Sequence, residues 1–339
     1  MDRSNSVSPP PKKHNNSDSS SSRDRVLECL YVRVSYWDGD SERFDWCILN
    51  LEDGTITTIS ETMPPKPRQG STAVACSNQI YDLGGLCLKG QTCPDGSERH
   101  LHNNVFYFDR NCPDEGWRTG PPMSVKRAMP YAVALDSKIY VFGGTTEGLF
   151  AEYFDINQNI WAPLPPPPPA LNMDPFSISD PIVLDSRRSR LLVHFESNES
   201  LYAYYVDDKR WRLLKEDFGL WTNSPSVIVD DVLYTLESFD FAYSFSARFD
   251  ECALRAYDLV EDKPLRTKWL SPFQGRVHYS ADLFHIGSGN LCLVWPDYEG
   301  LEFTKFSVSK NCGEVHAIGD SESATHVPMK SAACEFFLP

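Results

Sequence analysis

Short runs of apolar and β-branched residues, each bounded by turn-forming residues, recur along the chain from residue 26 onward. Four such runs follow one another in the middle of the chain, at residues 132–135, 139–142, 151–155 and around Trp161. Asp136 and Ser137, which separate the first two runs, are residue types that favour tight turns. The pattern predicts a complete four-stranded antiparallel sheet whose second strand ends in a glycine pair, Gly143 and Gly144.

The same order of parts recurs on both sides of this sheet. One unit earlier, three apolar runs interrupted by Gly84 and Gly85 lead to Trp117. Two units further along the chain keep the order of strands and lead to Trp211 and Trp269, without the glycine pair. A period of about fifty residues with four strands, a glycine pair and a tryptophan resembles the kelch repeat, which forms one blade of a β-propeller.

The two ends of the repeating region complement each other. Residues 26–65 contain only three predicted strands, whereas residues 331–338 form one apolar strand left over after a complete last unit. Pairing the leftover strand with the first unit would close the ring and remove its exposed edges. The resemblance therefore implies an all-β, six-bladed kelch-type β-propeller, with the first blade completed by the C-terminal strand. The blades are assigned to residues 26–65 with 331–338, 71–123, 130–169, 176–216, 222–271 and 277–322.

Residues 1–25 differ from the rest of the chain, because they are rich in serine, proline and charge and nearly free of apolar residues. Such a segment cannot bury enough surface to fold, so we expect a disordered tail. It also lacks the apolar stretch of a secretory signal. We therefore predict one domain, the kelch propeller of residues 26–339, in the cytoplasm, and Lys12 and Lys13 leave nuclear import open.

Composition and charge exclude several classes of function. The formal net charge of -15 argues against binding to nucleic acid and to an anionic membrane surface. No stretch of about twenty apolar residues is present to span a membrane. The sequence also lacks the Gly-x-Ser-x-Gly, P-loop and His-Glu-x-x-His motifs of common enzymes. We therefore predict a protein without catalytic activity.

The 10 cysteines form no Cys-x-x-Cys pair, and several lie inside apolar runs. This usage is typical of free thiols in a reducing compartment. Three cysteines and two histidines crowd one long loop region: Cys87, Cys93, His100, His102 and Cys112. Their spacing matches no standard zinc pattern, so we predict neither a metal nor a cofactor, with zinc at this loop as the alternative.

Candidate binding residues lie before the innermost strand of several blades. In a propeller, the loops between blades and those between second and third strands emerge on one face, around the central channel. A ring of cations there, from Arg68, Arg127, Arg276 and Lys330, would receive an acidic peptide. Aromatic and histidine side chains beside these cations would suit an interface hot spot. The predicted partner-binding residues are therefore Arg68, Arg127, Tyr131, Phe176, Trp221, Arg276 and His278. The alternative is structural: the arginines tie neighbouring blades together and the rings belong to the core.

We therefore interpret the chain as a protein–protein interaction module, a kelch adaptor or scaffold that binds an unidentified protein partner on its loop-rich face as a monomer. The alternative is an enzyme or small-ligand-binding propeller that uses the mouth of the channel. The repeats also resemble those of plant F-box/kelch proteins, although residues 1–25 are too short and too polar to hold an F-box.

Five consecutive prolines, 165–169, predict a polyproline II segment that acts as a stiff spacer or docks to an SH3-like or WW-like partner.

Overall fold

The computed structural model describes residues 27–38, 41–60, 69–87, 100–145, 148–168, 182–195, 199–218, 225–236, 246–248, 254–271, 276–278, 281–297, 300–320, 324–329 and 333–338. The predicted N-terminal tail lies outside these residues. Within them the chain is all-β, as predicted, with two short 3₁₀ helices at Pro113–Glu115 and Ser186–Arg188.

The strands of the described residues follow in chain order: β1 (Cys29–Asp38), β2 (Ser41–Asn50), β3 (Ile56–Ser60), β4 (Gln69–Cys76), β5 (Gln79–Leu86), β6 (Val105–Asp109), β7 (Trp117–Thr119), β8 (Tyr131–Leu135), β9 (Lys138–Phe142), β10 (Ala151–Asp155), β11 (Ile160–Pro163), β12 (Val183–Asp185), β13 (Arg190–Phe195), β14 (Ser200–Tyr205), β15 (Arg210–Lys215), β16 (Ser226–Val229), β17 (Val232–Leu236), β18 (Ser246–Arg248), β19 (Leu254–Asp258), β20 (Lys263–Ser271), β21 (Arg276–His278), β22 (Asp282–Gly287), β23 (Asn290–Asp297), β24 (Gly300–Asn311), β25 (Glu314–Gly319), β26 (Thr325–Pro328) and β27 (Ala333–Phe337).

Most strands belong to four-stranded antiparallel units. The second, third and fourth sheets are β4–β7, β8–β11 and β12–β15, each in sequence order. Tight turns join the first two strands of the second and third sheets, and the 3₁₀ helix Ser186–Arg188 joins those of the fourth. In the third sheet both turn residues, Asp136 and Ser137, have positive φ (50° and 58°). Positive φ at both central residues is the requirement of a type I′ hairpin turn, so the predicted turn is confirmed.

The first sheet is completed by the end of the chain. Its strand order is β27-β1-β2-β3, and β27 pairs antiparallel with β1 from Tyr31↔Phe337 to Ser35↔Ala333. Both phenylalanines of β27, Phe336 and Phe337, are buried. The prediction that a C-terminal strand completes the first unit is therefore confirmed.

The fifth and sixth units are joined into one sheet, which the sequence pattern did not predict. Strands β16-β17-β19-β20 and β25-β24-β23-β22 each form a four-stranded unit, and the outer strands β20 and β25 pair in parallel, from Arg266↔Glu314 to Trp269↔Ala317. Two short strands extend this region. β26 pairs with the start of β24, and β18 pairs with β21.

Six apolar clusters hold the units face to face. Each cluster joins one unit to the next along the chain, and the last joins the sixth unit to the first through residues such as Leu301, Phe303 and Leu30. A cavity of about 520 Å³ lies between the units and is lined by β4, β8, β12, β16, β22 and β27. The units thus surround a common centre with one strand each, an arrangement of the β-propeller type.

Candidate functional site

Two classes of loop meet at one end of the units. The connection from β5 to β6 reaches the segment between β7 and β8 through a bridge between His102 and Arg127. In the fifth and sixth units, β18 lies in the connection from β17 to β19 and pairs with β21, which precedes β22. The connections between second and third strands therefore lie beside the connections between units, as the sequence analysis expected. We call this end the loop-rich face.

Arg127 is completely buried at this face, and its guanidinium bonds to residues of the third unit and its loops. Nε donates to Oε1 of Glu152 on β10 at 3.1 Å. Nη1 donates to the carbonyl oxygens of Gly143 at 2.5 Å and Phe150 at 3.2 Å, and Nη2 to that of Leu149 at 3.0 Å. These contacts tie the segment between the second and third units to the third unit, which is the structural alternative stated for the arginines.

The backbone at Arg127 lies between the glycine pairs of two units. A Cβ at Gly84 would lie 2.5 Å from the carbonyl oxygen of Arg127, and a Cβ at Gly144 would lie 2.4 Å from that of Ala128. Both glycines have positive φ, 70° and 69°. The Gly85 N–H donates to Arg127 and the Ala128 N–H to Gly144, both at 2.8 Å. Glycine is required here because the two backbones touch and the conformation is left-handed.

The other predicted binding residues are placed only in part. Tyr131 begins β8, is half-buried and lines the central cavity. Arg276 and His278 lie in β21, but their side chains are outside the described part of the structure. Arg68, Phe176 and Trp221 also lie outside it. A ring of cations for an acidic peptide therefore stays a prediction.

Two of the cysteine and histidine residues of the long loop, Cys87 and His102, lie in contact. Sγ of Cys87 lies 2.9 Å from Nε2 of His102, while Nε2 of His100 lies 3.2 Å from Nζ of Lys126. Cys112 is exposed beyond the opposite end of β6, and Cys93 is outside the described residues. Of the five candidate zinc ligands, the described structure brings Cys87 and His102 together, and the ring of His100 packs against that of His102 with the centroids 5.0 Å apart.

The central cavity offers a different kind of site. Its walls are the innermost strands of the units, and its polar lining includes Tyr131, Asp282 and His285. Nε2 of His285 is buried with no hydrogen-bond partner among the described residues. Burial lowers the pKa of His285 below its usual value, so the ring stays neutral and offers one donor and one acceptor. The cavity could therefore hold a small neutral ligand or a side chain of a partner.

The proline run packs against the fourth unit. The indole Nε1 of Trp211 donates to the carbonyl oxygen of Pro165 at 2.9 Å, and Pro167 is buried. These contacts support the interpretation of the run as a spacer between units.

Glu152 is the functional partner that the sequence analysis missed. It is the second residue of β10 and is as completely buried as Arg127. Its second carboxylate oxygen accepts the Ser124 backbone N–H at 2.8 Å, which fixes the segment before Arg127. A buried carboxylate requires a cation or several hydrogen-bond donors. An acidic residue among the apolar residues of a predicted strand was therefore the sequence signal for such a partner.

Comparisons with known proteins agree with the architecture. No family model matches the chain. An F-box/kelch-repeat protein of Arabidopsis thaliana is 26% identical over 218 residues, which are 62% of this chain and 55% of the relative. A second is 24% identical over 275 residues, 80% of this chain and 66% of the relative. A kelch repeat-containing protein of the same plant is 26% identical over 218 residues, 61% of this chain and 48% of the relative.

The chain spans about half the length of most of these curated relatives. Within the described residues, no helix is long and apolar enough to cross a membrane. The sheets, the glycine pairs and the sequence comparisons agree with each other: the chain is similar to the kelch-repeat proteins of Arabidopsis thaliana.

Proposed function

We propose that residues 26–339 form a six-bladed kelch-type propeller that binds a protein partner on its loop-rich face, as an adaptor or scaffold without catalytic activity. The proposal is supported by the ring of apolar clusters, the shared cavity and the similarity to kelch-repeat proteins. One observation carries it. Two classes of loop converge on one end of the units, and loops on a rigid scaffold are where binding residues concentrate.

The chemistry of the loop-rich face suits a protein partner. Met129 projects beside the junction of the second and third units with 64% of its surface exposed, and the ring of Tyr131 follows two residues later. Exposed Met and Tyr side chains are enriched in protein interfaces. We also propose that the partner carries an acidic motif, which Arg68 and Arg276 would bind. The protein would act as a monomer in the cytoplasm or nucleus.

A pair of equally exposed side chains on opposite ends of the units tests this face. Met129 lies on the loop-rich face, whereas Val260, also 64% exposed, lies in the turn between β19 and β20 at the other end. We would capture partners on the intact chain, identify them by mass spectrometry, and measure their affinity for Met129→Glu and Val260→Glu. A charge at an interface hot spot should weaken the partner by at least about fivefold.

The expected result is loss of affinity in Met129→Glu and retention in Val260→Glu, with both variants melting like the parent. Equal affinity of the two variants, or a loss confined to Val260→Glu, would contradict binding at the loop-rich face.

A second candidate function is the binding of a small ligand in the central cavity. The volume of about 520 Å³ lies within the range of small-molecule sites, and the unpartnered ring nitrogen of His285 supplies a polar anchor. A thermal-shift screen against a metabolite panel would test it. A ligand that stabilises the parent chain but not His285→Phe supports this candidate, and no stabilising ligand argues against it.

A further inference from the structure

Three side chains from neighbouring strands of the sixth unit meet near its loop-rich end. They are Asp297 at the end of β23, Glu302 on β24 and His326 on β26. Each offers one ligand atom, and these atoms all lie within 4.8 Å of one another. The register explains the meeting, because His326 lies directly opposite Glu302, while Asp297 lies opposite Gly300 two residues away on the same face of β24.

The backbone around these side chains is held tightly. Gly300 lies opposite both Asp297 and Pro328, so no side chain separates Asp297 from Glu302. A Cβ at position 300 would lie 2.0 Å from the carbonyl oxygen of Val327, which means that β26 approaches β24 more closely than any other residue would permit. Val327 is itself buried in the cluster between the sixth and first units. The three donors are therefore placed by packed strands and not by a loop.

The electrostatics of the group favour a cation. Glu302 is partly buried beside Asp297, and the side chain of Trp295, directly opposite Glu302 on β23, bonds to its carboxylate. Nδ1 of His326 lies 4.0 Å from Oε1 of Glu302, and both side chains remain partly open to solvent. The carboxylates of Asp297 and Glu302 repel each other, and a cation between them would remove that repulsion.

The geometry fits a metal of ordinary size. Two ligand atoms on one tetrahedral ion with bonds of about 2.0–2.2 Å lie about 3.3–3.6 Å apart. The Glu302–His326 separation of 4.0 Å is within roughly half an ångström of this value. The widest separation, up to 4.8 Å, needs a movement of about 1 Å, within the reach of a rotation of a partly exposed side chain.

We propose that Asp297, Glu302 and His326 form a binding site for a divalent transition-metal ion of the Zn²⁺ type on the loop-rich face. An imidazole nitrogen with two carboxylate oxygens is a ligand set that suits Zn²⁺, whereas Ca²⁺ and Mg²⁺ prefer oxygen alone. Three protein ligands leave one position of a tetrahedral ion open to water, since the side chains of His326 and Glu302 are partly exposed. The Trp295 side chain supports the Glu302 carboxylate from the opposite strand.

Isothermal titration of the full chain with ZnCl₂, under conditions that keep thiols reduced, tests the site. We expect binding that weakens by more than about tenfold in Glu302→Gln and in His326→Gln. His316→Gln is the matched control, since His316 lies on β25 of the same unit outside the group. Cys87→Ser separates this site from the Cys87–His102 pair, and both controls should bind like the parent chain.

Cobalt provides a second readout that does not depend on folding alone. Co²⁺ bound at this site should show visible absorption without a sulfur charge-transfer band, because the three donors are oxygen and nitrogen. If Glu302→Gln has a lower melting temperature than the parent chain, the Zn²⁺ affinity of His326→Gln tests the site instead. His326 is exposed, so its replacement should leave the fold intact. The proposal is overturned if the parent binds no Zn²⁺, if both variants bind normally, if Cys87→Ser alone abolishes binding, or if Ca²⁺ binds in place of Zn²⁺.

Discussion

Two junctions of the molecule join neighbouring units by different chemistry. Between the second and third units, the backbone at Arg127 and Ala128 is clamped by Gly84 and Gly144, and buried polar bonds fix it there. Between the fifth and sixth units, the outer strands β20 and β25 form a parallel ladder with one register shift, between Trp269 and Ser271. The first junction depends on close approach at the loop-rich end, and the second on backbone pairing at the outer edge.

The side chains at the two junctions differ in the same way. Arg127 and Glu152 are both completely buried, so their ion pair has no access to water. Lys310 reaches across to Asp258 and Glu261 of the fifth unit, but about a third of its side chain is exposed. The glycine pair of the kelch pattern therefore marks one way of joining units, and units without it are joined by other contacts.

Arg127→Met should show the largest effect, because it leaves the Glu152 carboxylate buried without its cation. Removing one partner of a buried ion pair costs about 3–5 kcal/mol. We expect a loss of this size in the free energy of unfolding, measured by urea denaturation. Lys310→Met, the same change at the other junction, should have a smaller effect, because the Lys310 ammonium is partly exposed and the buried Asp258 carboxylate keeps the backbone N–H donors of Val260 and Glu261.

The double variant Arg127→Met with Glu152→Gln sharpens this test. It removes the uncompensated charge, so it should be more stable than the sum of the two single changes predicts. Equal stability of Arg127→Met and Lys310→Met would show that the two junctions do not differ as described.

Gly144→Ala should show the next largest effect. The new Cβ would lie 2.4 Å from the Ala128 carbonyl oxygen, and the residue has a φ of 69°. Strain and forced displacement of the backbone together should cost about 2–4 kcal/mol in the free energy of unfolding. Gly148→Ala is the matched control, because its φ is 81° but a Cβ there would meet nothing within 4 Å.

Gly148→Ala should therefore cost only the left-handed strain, about 1 kcal/mol. Equal shifts of the urea midpoint for the two glycines would mean that close approach to Ala128 does not hold the second and third units together.

Much of the strand pattern could be predicted from sequence, because each strand carries its own local signal. The run at β10 was predicted with its observed bounds and those at β8 and β9 to within one residue, and turn residues such as Asp136 located the hairpins. The completing strand β27 could be predicted by counting, since three strands at one end and one at the other fit together. These inferences need only the residue types and their order.

The remaining features depend on contacts that leave no local signal. The parallel pairing of β20 with β25 arises from the relative position of two units, and β26 is a short strand with mostly exposed side chains. An arginine before an inner strand looks the same in sequence whether it faces a partner or, as Arg127 does, a buried Glu152. The group of Asp297, Glu302 and His326 also requires the register of three strands.

Trp161→Phe should show the smallest effect of the series. It tests a single hydrogen bond at the junction between the second and third units. The indole Nε1 of Trp161 donates to the carbonyl oxygen of Pro121, in the segment between the second and third units, at 2.9 Å. Phenylalanine keeps most of the ring contact with Phe154, whose centroid lies 5.1 Å away. The variant therefore loses mainly one hydrogen bond, and we expect about 0.5–1.5 kcal/mol less stability, measured as a lower urea midpoint at unchanged m.

Trp117→Phe is the control, because Trp117 holds the equivalent place in the second unit and its buried Nε1 has no hydrogen-bond partner among the described residues. Its ring packs on Phe108 and Trp46, so both variants lose a similar amount of ring surface. The difference between the two midpoints then reports the bond from Trp161 to Pro121. Since an indole N–H without a partner is costly to bury, its removal in Trp117→Phe should offset part of the lost packing. If Trp117→Phe is destabilised as much as Trp161→Phe, the tryptophan of the kelch pattern acts through its ring surface alone.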